Sequence, residues 1–241
     1  MNRSRMIKRI IIVIGAFMFF SCAHKSGHLQ QQVSDAVDYS NNSPIVKKVK
    51  RSSGKMEGNE IFQKFHSAVF MVFTSDGTNV YQGSGFFIDN NGLAVSNYHV
   101  FKGTGIGAEA IKLENSDQPY KVSDIYTKSE EEDFIIFRVD CGRTSYIPIA
   151  HNKPNIGDRI YAIGSPRGLE NTFSSGDVSQ WRDENLMQIN AQIDHGSSGG
   201  ALINEYGEVV GITSGTLYEG SQANLNYAWS IEVVKPYLTF K

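Results

Sequence analysis

Three separated segments of the 241-residue sequence carry polar side chains that could act on one substrate. His99 follows the apolar residues 93–95, and an imidazole titrates near neutral pH, which suits a general base. Asp133 stands between an acidic run and an apolar run, where its carboxylate could enter the edge of a core and hold an imidazole in one tautomer. Ser198 lies in the Gly- and Ser-rich segment 196–200, and a serine becomes a nucleophile once a base takes its proton. These residue types predict catalysis by an activated serine.

Each segment alone has an ordinary structural interpretation. A single histidine is usually structural, residues 130–133 could form a solvated acidic turn, and residues 196–200 could form a plain turn between strands. The order of the three is more specific. Histidine, then aspartate, then serine is the order of chymotrypsin, and it differs from the orders in subtilisin and the α/β-hydrolases. The combination therefore favours a catalytic triad of His99, Asp133 and Ser198.

The elements that must position these residues are predicted to be short strands. Apolar, β-branched runs alternate with turn residues such as Asp89-Asn90-Asn91-Gly92, and long helical periods are missing. The sequence therefore predicts a single all-β unit, a barrel or a sandwich. The predicted strands are Val69–Phe73, Val80–Tyr81, Gly85–Ile88, Leu93–Ser96, Ile111–Leu113, Phe134–Val139, Arg159–Ile163, Leu186–Ile189, Ala201–Ile203, Val209–Thr213 and Tyr227–Ile231.

Several of these segments resemble those of HtrA (Deg) serine proteases over roughly residues 60–238. Residues 83–100, from Gly-Ser-Gly-Phe-Phe to Asn-Tyr-His-Val, look like the glycine, strand and histidine segment of that family. Residues 133–139 look like its aspartate strand, and residues 193–202 followed by 207–212 look like its serine segment and the next hairpin. The loop 163–169 and the strand 175–179 resemble the opening of its second barrel.

The resemblance implies a chymotrypsin-like fold of two packed six-stranded β-barrels, with the active site in the cleft between them. It implies an oxyanion hole at Gly196, Ser197 and Ser198, and no cofactor or metal. The substrate pocket would have Gln192 at its base, the strand Thr213-Ser214-Gly215-Thr216 as its wall and Ala228 at its far side. Because Gln192 is neutral, we expect cleavage after small or medium uncharged residues, and little after Lys or Arg.

The sequence departs from the family pattern in two places, and a third position differs from the digestive trypsin-like enzymes. Many members carry a PDZ domain after the protease, and the residues after Leu238 leave no room for one, so peptide sensing by a PDZ domain is not expected. The oligomeric state is left open. Asp194 and His195 precede Gly196 where the family often has Asn-Pro, which raises a rival local set of Asp194, His195 and Ser198. Ser197 replaces the aspartate of digestive enzymes, so activation by insertion of a new N-terminus is not expected.

The N-terminus reads as an export signal. Residues 1–9 are basic, residues 10–20 are apolar, and Ser21-Cys22 begins a polar stretch. The apolar run is about half the length of roughly 20 residues that a spanning helix needs. We interpret residues 1–21 as a lipoprotein signal peptide and Cys22 as the lipid attachment site, although Phe19 departs from the aliphatic residue usual in a lipobox. Plain secretion is the alternative.

The remaining chain is predicted to be a flexible polar tether, residues 22–58, and a protease domain, residues 59–241. The basic run within residues 47–55 is read as solvated linker, with weak attraction to anionic lipid headgroups as the alternative. A formal net charge of −2 gives no indication of nucleic-acid binding. Cys141 ends an apolar run and is interpreted as a buried small hydrophobe without a disulfide partner.

The function predicted from these features is that of a serine endopeptidase acting on protein or peptide substrates. The protein would cross the inner membrane and stay lipid-anchored in the cell envelope, in the periplasm or on the outer surface. Two alternatives are kept: a non-catalytic protease-like protein that binds peptides in the same cleft, and an esterase or transferase that uses the same triad.

Overall fold

Fourteen strands and two short α-helices form the part of the chain that the computed structural model describes, residues 43–105, 108–114, 116, 118–165, 168–169, 171–216 and 225–241. The helices are α1 (Gly58–Phe65) and α2 (Tyr98–Phe101), and 3₁₀ turns cover His66–Ala68, Ile231–Val233 and Lys235–Tyr237. The strands are β1 (Ile45–Val46), β2 (Val69–Ser75), β3 (Val80–Phe87), β4 (Leu93–Ser96), β5 (Ala110–Lys112), β6 (Val122–Ser129), β7 (Phe134–Val139), β8 (Arg159–Gly164), β9 (Thr172–Trp181), β10 (Leu186–Ile189), β11 (Ala201–Asn204), β12 (Val209–Thr216), β13 (Asn226–Ser230) and β14 (Thr239–Phe240).

The second half of the chain closes into an antiparallel barrel. Its strand order is β10-β13-β12-β11-β8-β9, and β9 completes the circle by pairing with both β8 and β10. Closure removes the open edges that an antiparallel sheet would otherwise expose. The barrel therefore gives a rigid frame to the loop before β11, which carries Ser198.

The first half forms a six-stranded sheet in the order β5-β2-β3-β4-β7-β6. Its two edges approach each other, because Ile111 of β5 forms an isolated bridge with Tyr120, just before β6. The Glu109 carboxylate adds a bond at the same place by accepting from the Val122 N–H at 3.0 Å. The sheet is thus curled toward a barrel, and the predicted chymotrypsin-like architecture is confirmed, with one barrel closed by its strands and the other a curled sheet.

Strand β7 is buried on both faces, which explains why its sequence is apolar without alternation. Ile135 and Phe137 point into a core inside the first sheet, whereas Phe134 and Ile136 join a second core that also contains residues of the barrel such as Ile163. A strand with both faces buried reads as a continuous apolar run. Burying each such side chain is worth about 1.5–3 kcal/mol, so β7 contributes strongly to joining the two halves.

Residues before the predicted domain boundary at Asn59 already belong to the fold. The predicted tether was to extend to Gly58, but Ile45 and Val46 pair in parallel with Thr239 and Phe240. Val46 is almost fully buried, because it packs in the core shared by the two halves. Polar composition suggested a tether, and that prediction is wrong for residues 45 and 46, since two residues of long-range pairing leave no local periodic signal.

Two residues of the basic run are also part of the fold. Arg51 lies over the ring of Tyr206 at 3.6 Å from its centroid and forms an ion pair with Glu208 at 3.5 Å. Lys55 forms an ion pair with Glu205, and this contact raises the pKa of Lys55. These two cations therefore contact the β11–β12 hairpin, and the prediction of a solvated linker is wrong for Arg51 and Lys55.

Within the described residues, no helix is long and apolar enough to cross a membrane.

Several strand bounds differ from the sequence prediction, and three strands show the largest differences. The predicted runs 80–81 and 85–88 belong to one strand, β3, because its two glycines and small polar residues pair regularly with β2. Strand β6 was not predicted, since its sequence is mostly polar and half-exposed. Strand β9 was recognised only around residues 175–179, although it extends over ten residues.

Candidate active site

His99 is positioned by the end of a buried strand. Strand β4 ends at Ser96, and the short helix α2 begins two residues later, which turns His99 out of the sheet with its side chain 47% exposed. The His99 backbone N–H donates to Asp133 Oδ1 at 2.9 Å, and the ring Nδ1 lies 2.8 Å from Asp133 Oδ2. Because a carboxylate only accepts hydrogen bonds, Nδ1 carries the proton and Nε2 is left basic.

Asp133 has an unusual backbone conformation at the start of β7. Its φ is 46°, in the left-handed region that few residues other than Gly, Asn and Asp adopt. The conformation is held because the Asn97 side-chain amide donates to the Asp133 carbonyl at 2.8 Å. The Ser214 hydroxyl donates to Asp133 Oδ2 at 3.1 Å. The carboxylate thus accepts three hydrogen bonds, two from His99 and one from the barrel.

The Ser198 turn is fixed by bonds to both halves of the domain. The Ser198 carbonyl accepts from the Ser84 N–H of β3 at 2.8 Å, and the Gly199 N–H donates to the Thr213 carbonyl at 2.8 Å. Gly199 has a φ of 87°, and a Cβ there would stand 2.1 Å from the Ser84 carbonyl oxygen. Only glycine fits this close approach between turn and strand.

The Ser198 hydroxyl lies beside β12, the strand that also contacts Asp133. A Cβ built on Gly215 would lie 3.5 Å from Ser198 Oγ, so the hydroxyl is next to Gly215. Ser214, the neighbour of Gly215, binds the Asp133 carboxylate. A continuous set of contacts therefore leads from the serine through β12 to the aspartate and the histidine.

The three residues of the predicted oxyanion hole differ in whether their backbone N–H groups are already hydrogen-bonded. Among the described residues, no acceptor binds the N–H of Gly196 or of Ser198. The Ser197 N–H, in contrast, donates to the Asp194 carbonyl at 2.9 Å, and the Ser197 side chain faces inward at 7% exposure. The Ser197 N–H therefore has an intramolecular partner, which leaves Gly196 and Ser198 as the donors available to an oxyanion.

The predicted pocket residues are not gathered around one cavity. Gln192 and Thr213 line a cavity of about 190 Å³ together with the stretches 162–164 and 172–174. Ala228 is completely buried in the barrel core, where it pairs with Met187. Thr216 ends β12, and residues 217–224 lie outside the described part of the chain. The pocket assignment therefore remains a prediction.

The rival local set gains no support from the contacts. The His195 backbone N–H donates to Asp194 Oδ1 at 2.7 Å, whereas the His195 side chain is exposed and hydrogen-bonds no described residue. Asp194 also lines the cavity beside Gln192. A base without an orienting partner makes a poor catalyst, so we interpret His195 as a residue at the rim of the site.

Of the two cysteines, Cys141 lies within the described residues. Cys22 lies outside the described residues. Cys141 is half-buried against the core of the first sheet, and burial raises the pKa of its thiol, with the nearby Asp140 adding to the effect. A raised pKa disfavours the reactive thiolate. Over the described ranges, no group of three His, Cys, Asp or Glu side chains could hold a metal ion.

Two positioning contacts were missed by sequence reasoning. Asn97 was quoted only as part of a motif, and Ser214 was assigned to the pocket wall, yet both hold Asp133. A sequence signal for Asn97 was its place between the apolar run 93–95 and His99, where the structure buries it completely. No local signal marked Ser214, which is 81 residues from its partner.

The comparisons with known proteins agree with the observed fold. Residues 83–212, more than half of the chain, match the family described as trypsin-like peptidase domain. The chain is 30% identical over 178 residues to Protease Do-like 1, chloroplastic, of Arabidopsis thaliana, covering 67% of this chain and 39% of that protein. It is 33% identical over 159 residues to a probable periplasmic serine endoprotease DegP-like of Rhizobium meliloti, covering 62% and 31%.

A solved structure shows the same fold. The serine endoprotease from Yersinia pestis matches with a TM-score of 0.67 and 25% identity, over 76% of this chain and 65% of that chain. The curated relatives above are longer, and this chain spans less than half of each. The resemblance to HtrA and Do-like proteases inferred from the motifs is confirmed by these matches. The chain belongs to the family of trypsin-like peptidase domains.

Proposed function

We propose that this protein is a serine endopeptidase that hydrolyses peptide bonds through an acyl-enzyme, with His99, Asp133 and Ser198 as its triad. The observation that carries the proposal is the pair of hydrogen bonds by which the Asp133 carboxylate holds the backbone and ring of His99. A carboxylate in this position keeps the imidazole oriented and stabilises its cation. His99 Nε2 then acts as the base for Ser198, whose hydroxyl lies beside Gly215.

The reaction begins with attack of Ser198 Oγ on the peptide carbonyl, while His99 Nε2 takes the hydroxyl proton. The tetrahedral oxyanion accepts hydrogen bonds from the N–H groups of Gly196 and Ser198. Its collapse breaks the C–N bond, and the leaving amine takes the proton from His99. Water then attacks the Ser198 ester, gives a proton to His99, and releases the acid as Ser198 regains its hydrogen. No cofactor enters any step.

The edge of β12 near the site supports binding of extended segments. Thr213 and Gly215 pair with Ala228 and Tyr227 of β13 on one side, with an irregularity at Ser214. On the other side, the pairing of β12 with β11 ends at Ile212. Among the described residues no strand pairs with 214–216 on that side, so a substrate could add there as an antiparallel strand.

Specificity for uncharged side chains is part of the proposal. Gln192 is neutral, and the carboxylate of Asp194 beside it already accepts a backbone hydrogen bond. A cationic side chain that reached Gln192 would have to leave water without meeting an opposite charge on that residue. Small or medium uncharged residues before the scissile bond are therefore favoured.

A single substitution tests the proposed chemistry. Ser198→Ala should remain folded and lose peptide hydrolysis by on the order of a million-fold, the magnitude found when a triad nucleophile is removed in subtilisin. Wild-type protein should label covalently with a fluorophosphonate probe, and the variant should not. The matched control is Ser197→Ala, which removes the neighbouring hydroxyl and should keep labelling. Labelling of Ser198→Ala, or none of the wild type, would contradict the proposal.

Ester substrates separate the proposal from its closest alternative. An endopeptidase should cleave internal peptide bonds of an unfolded protein at a rate that Ser198→Ala abolishes. If only small esters were hydrolysed, the same triad would belong to an esterase. If peptides bound without cleavage, the protein would be a non-catalytic binder.

A further inference from the structure

Ser84 connects the first sheet to the turn that carries Ser198. It lies in β3 with no exposed surface, and all three of its polar groups are used. Its hydroxyl donates to the Gly196 carbonyl at 2.7 Å and accepts from the Ser165 N–H at 2.9 Å. Its backbone N–H donates to the Ser198 carbonyl at 2.8 Å, and its carbonyl accepts from the Ser96 hydroxyl at 2.7 Å.

Gln82, two residues earlier on the same strand, adds bonds to the same loops. Its side-chain Nε2 donates to the Ser165 carbonyl at 2.7 Å and lies 3.4 Å from the Gly196 carbonyl. Its Oε1 accepts from the Gly168 N–H at 3.0 Å. One face of β3 therefore holds both the serine turn and the loop after β8.

The geometry of the turn shows which peptide depends on these bonds. The peptide between Ser197 and Ser198 is fixed directly, because its carbonyl accepts from the Thr213 hydroxyl at 2.6 Å and from the Gly200 N–H at 2.9 Å. The peptide between His195 and Gly196 differs. Among the described residues, nothing donates to its carbonyl and nothing accepts from its N–H.

The orientation of that peptide must therefore come from its neighbours. Peptide groups are planar, so a peptide without partners can rotate only through the dihedral angles of the residues beside it. Gly196 has a φ of 94° and carries no side chain to restrict rotation. What restrains it on its C-terminal side is the Gly196 carbonyl, held by the Ser84 hydroxyl and approached by Gln82.

We propose that Ser84, assisted by Gln82, is a positioning residue that aims the Gly196 N–H at the oxyanion by holding the Gly196 carbonyl from the first sheet. The inference rests on the proposed endopeptidase function. Ser84 contacts no reacting atom, and it acts through the backbone of the serine turn. Because the same hydroxyl accepts from Ser165, the loop after β8 is held by the same atom as the turn.

Ser84→Ala tests the proposal. It leaves the Gly196 carbonyl with only the long contact to Gln82, and so loosens the Gly196 N–H without removing it. Losing an oxyanion donor outright costs about 10²–10³ in kcat, so we expect a kcat lower by about 10- to 100-fold with KM nearly unchanged. Affinity for a peptide boronic acid, which forms a tetrahedral adduct, should fall by a similar factor. Affinity for the cleaved product peptide should not change.

The matched control is Ser230→Ala. Ser230 is equally buried and its hydroxyl also bonds a backbone group, the Glu232 N–H, away from the serine turn. It should lose thermal stability without the fall in kcat or boronate affinity. Gln82→Met, at a half-exposed position, is the second variant if Ser84→Ala does not fold, and a smaller fall in kcat is expected there.

Hydrogen exchange gives a readout that does not need activity. The amides of Ser197 and Gly200, which are hydrogen-bonded within the serine turn, should exchange faster in Ser84→Ala than in the wild type, and not in Ser230→Ala. A Ser84→Ala protein with wild-type kcat, boronate affinity and exchange at these amides would overturn the proposal. Absence of cleavage by the wild-type protein would instead overturn the proposed function, and the exchange comparison would still decide the role of Ser84.

Discussion

Asp133 combines an unusual backbone conformation with the role that we propose for it in the triad. Its left-handed φ of 46° is maintained by the side chain of Asn97, and its carboxylate accepts three hydrogen bonds with 16% of the side chain exposed. Strained conformations persist only where the surroundings over-determine them. Here the surroundings come from two units, since His99 belongs to the first sheet and Ser214 to the barrel.

The two histidines near Ser198 should respond differently to substitution. His99→Ala removes the base that Asp133 orients, and we expect loss of peptide hydrolysis nearly as large as in Ser198→Ala. His195→Ala removes an exposed side chain without hydrogen-bond partners among the described residues, and kcat should change by less than about 10-fold. Steady-state kinetics on one peptide compares the two. A larger loss in His195→Ala would show that the triad is assigned to the wrong histidine.

The side chain before the scissile bond should be small or medium and uncharged. A peptide library randomised at this position, analysed by mass spectrometry, should give products after Val, Ala, Ile or Thr. One methylene in an apolar pocket is worth about 1–3 kcal/mol, so the preference should be graded. Ser198→Ala is the control for contaminating proteases. Dominant cleavage after Arg, Lys, Phe or Tyr that is absent from this control would reject the pocket assignment.

Among the elements, β3 joins a local hairpin to the site. At one end, the loop to β2 is organised by Asp76, which accepts from the N–H groups of Thr78 and Asn79 and from the Tyr81 hydroxyl. Further along, Gln82 and Ser84 hold the serine turn. Strand register therefore matters, because a slip by one residue would turn Ser84 to the opposite face.

Asp76 makes the stability of this hairpin dependent on pH. Hydrogen bonds from Asn79, Tyr81 and Thr78 hold the pKa of Asp76 well below its ordinary value of 3.8. A depressed pKa contributes stability above pH 3.8 that is lost as the pH falls further, through the pKa of the folded state. Asp76→Ala should therefore lower Tm at pH 7, and the difference from wild type should shrink below about pH 4.

Thermal unfolding across pH, followed by circular dichroism, measures this effect. Asp140→Ala is the control, since Asp140 is exposed and its side chain bonds no described residue. A Tm difference for Asp76→Ala that stays constant from pH 7 to the acid range would contradict the assignment of the effect to an ionised Asp76.

At the scale of the whole molecule, the site depends on the packing of the two halves. The sheet supplies His99 and Asp133, and the barrel supplies Ser198 and Ser214. A shared core, with Phe86 and Ile136 from the sheet and Ile163 from the barrel, holds the halves together. The pairing of β1 with β14 adds to that core at the ends of the domain, where Val46 and Leu238 are buried.

The location of the protein is the remaining prediction at this scale. We propose that Cys22 becomes the lipid-bearing N-terminus of the mature chain in the cell envelope. Two or more acyl chains give stable anchoring where one does not. Cys22→Ser should move the protein from the membrane fraction to the soluble fraction, whereas Cys141→Ser should not. Intact-mass analysis should show the lipid adduct, and an unmodified N-terminus at another residue would reject the proposal.

Local features of the sequence were enough to predict much of the fold and the candidate triad. The apolar, β-branched run of β7 indicated a strand, because such residues favour a pleated and partly buried surface. The glycines around Ser198 indicated a tight turn, since a positive φ or a close approach favours glycine. The order of His99, Asp133 and Ser198 then pointed to the chymotrypsin arrangement, and similarity to trypsin-like peptidase domains supports the same fold.

Only the tertiary structure decided how these residues are held. The bond from Ser214 to Asp133 joins residues 81 apart, and the bond from Ser84 to Gly196 joins residues 112 apart. Such pairs require the barrel to be packed against the sheet, and neither partner carries a local pattern that identifies the other. The same holds for Ile45 and Val46, whose polar surroundings read as a tether. Their strand exists because the end of the chain, at Thr239 and Phe240, returns to the same place.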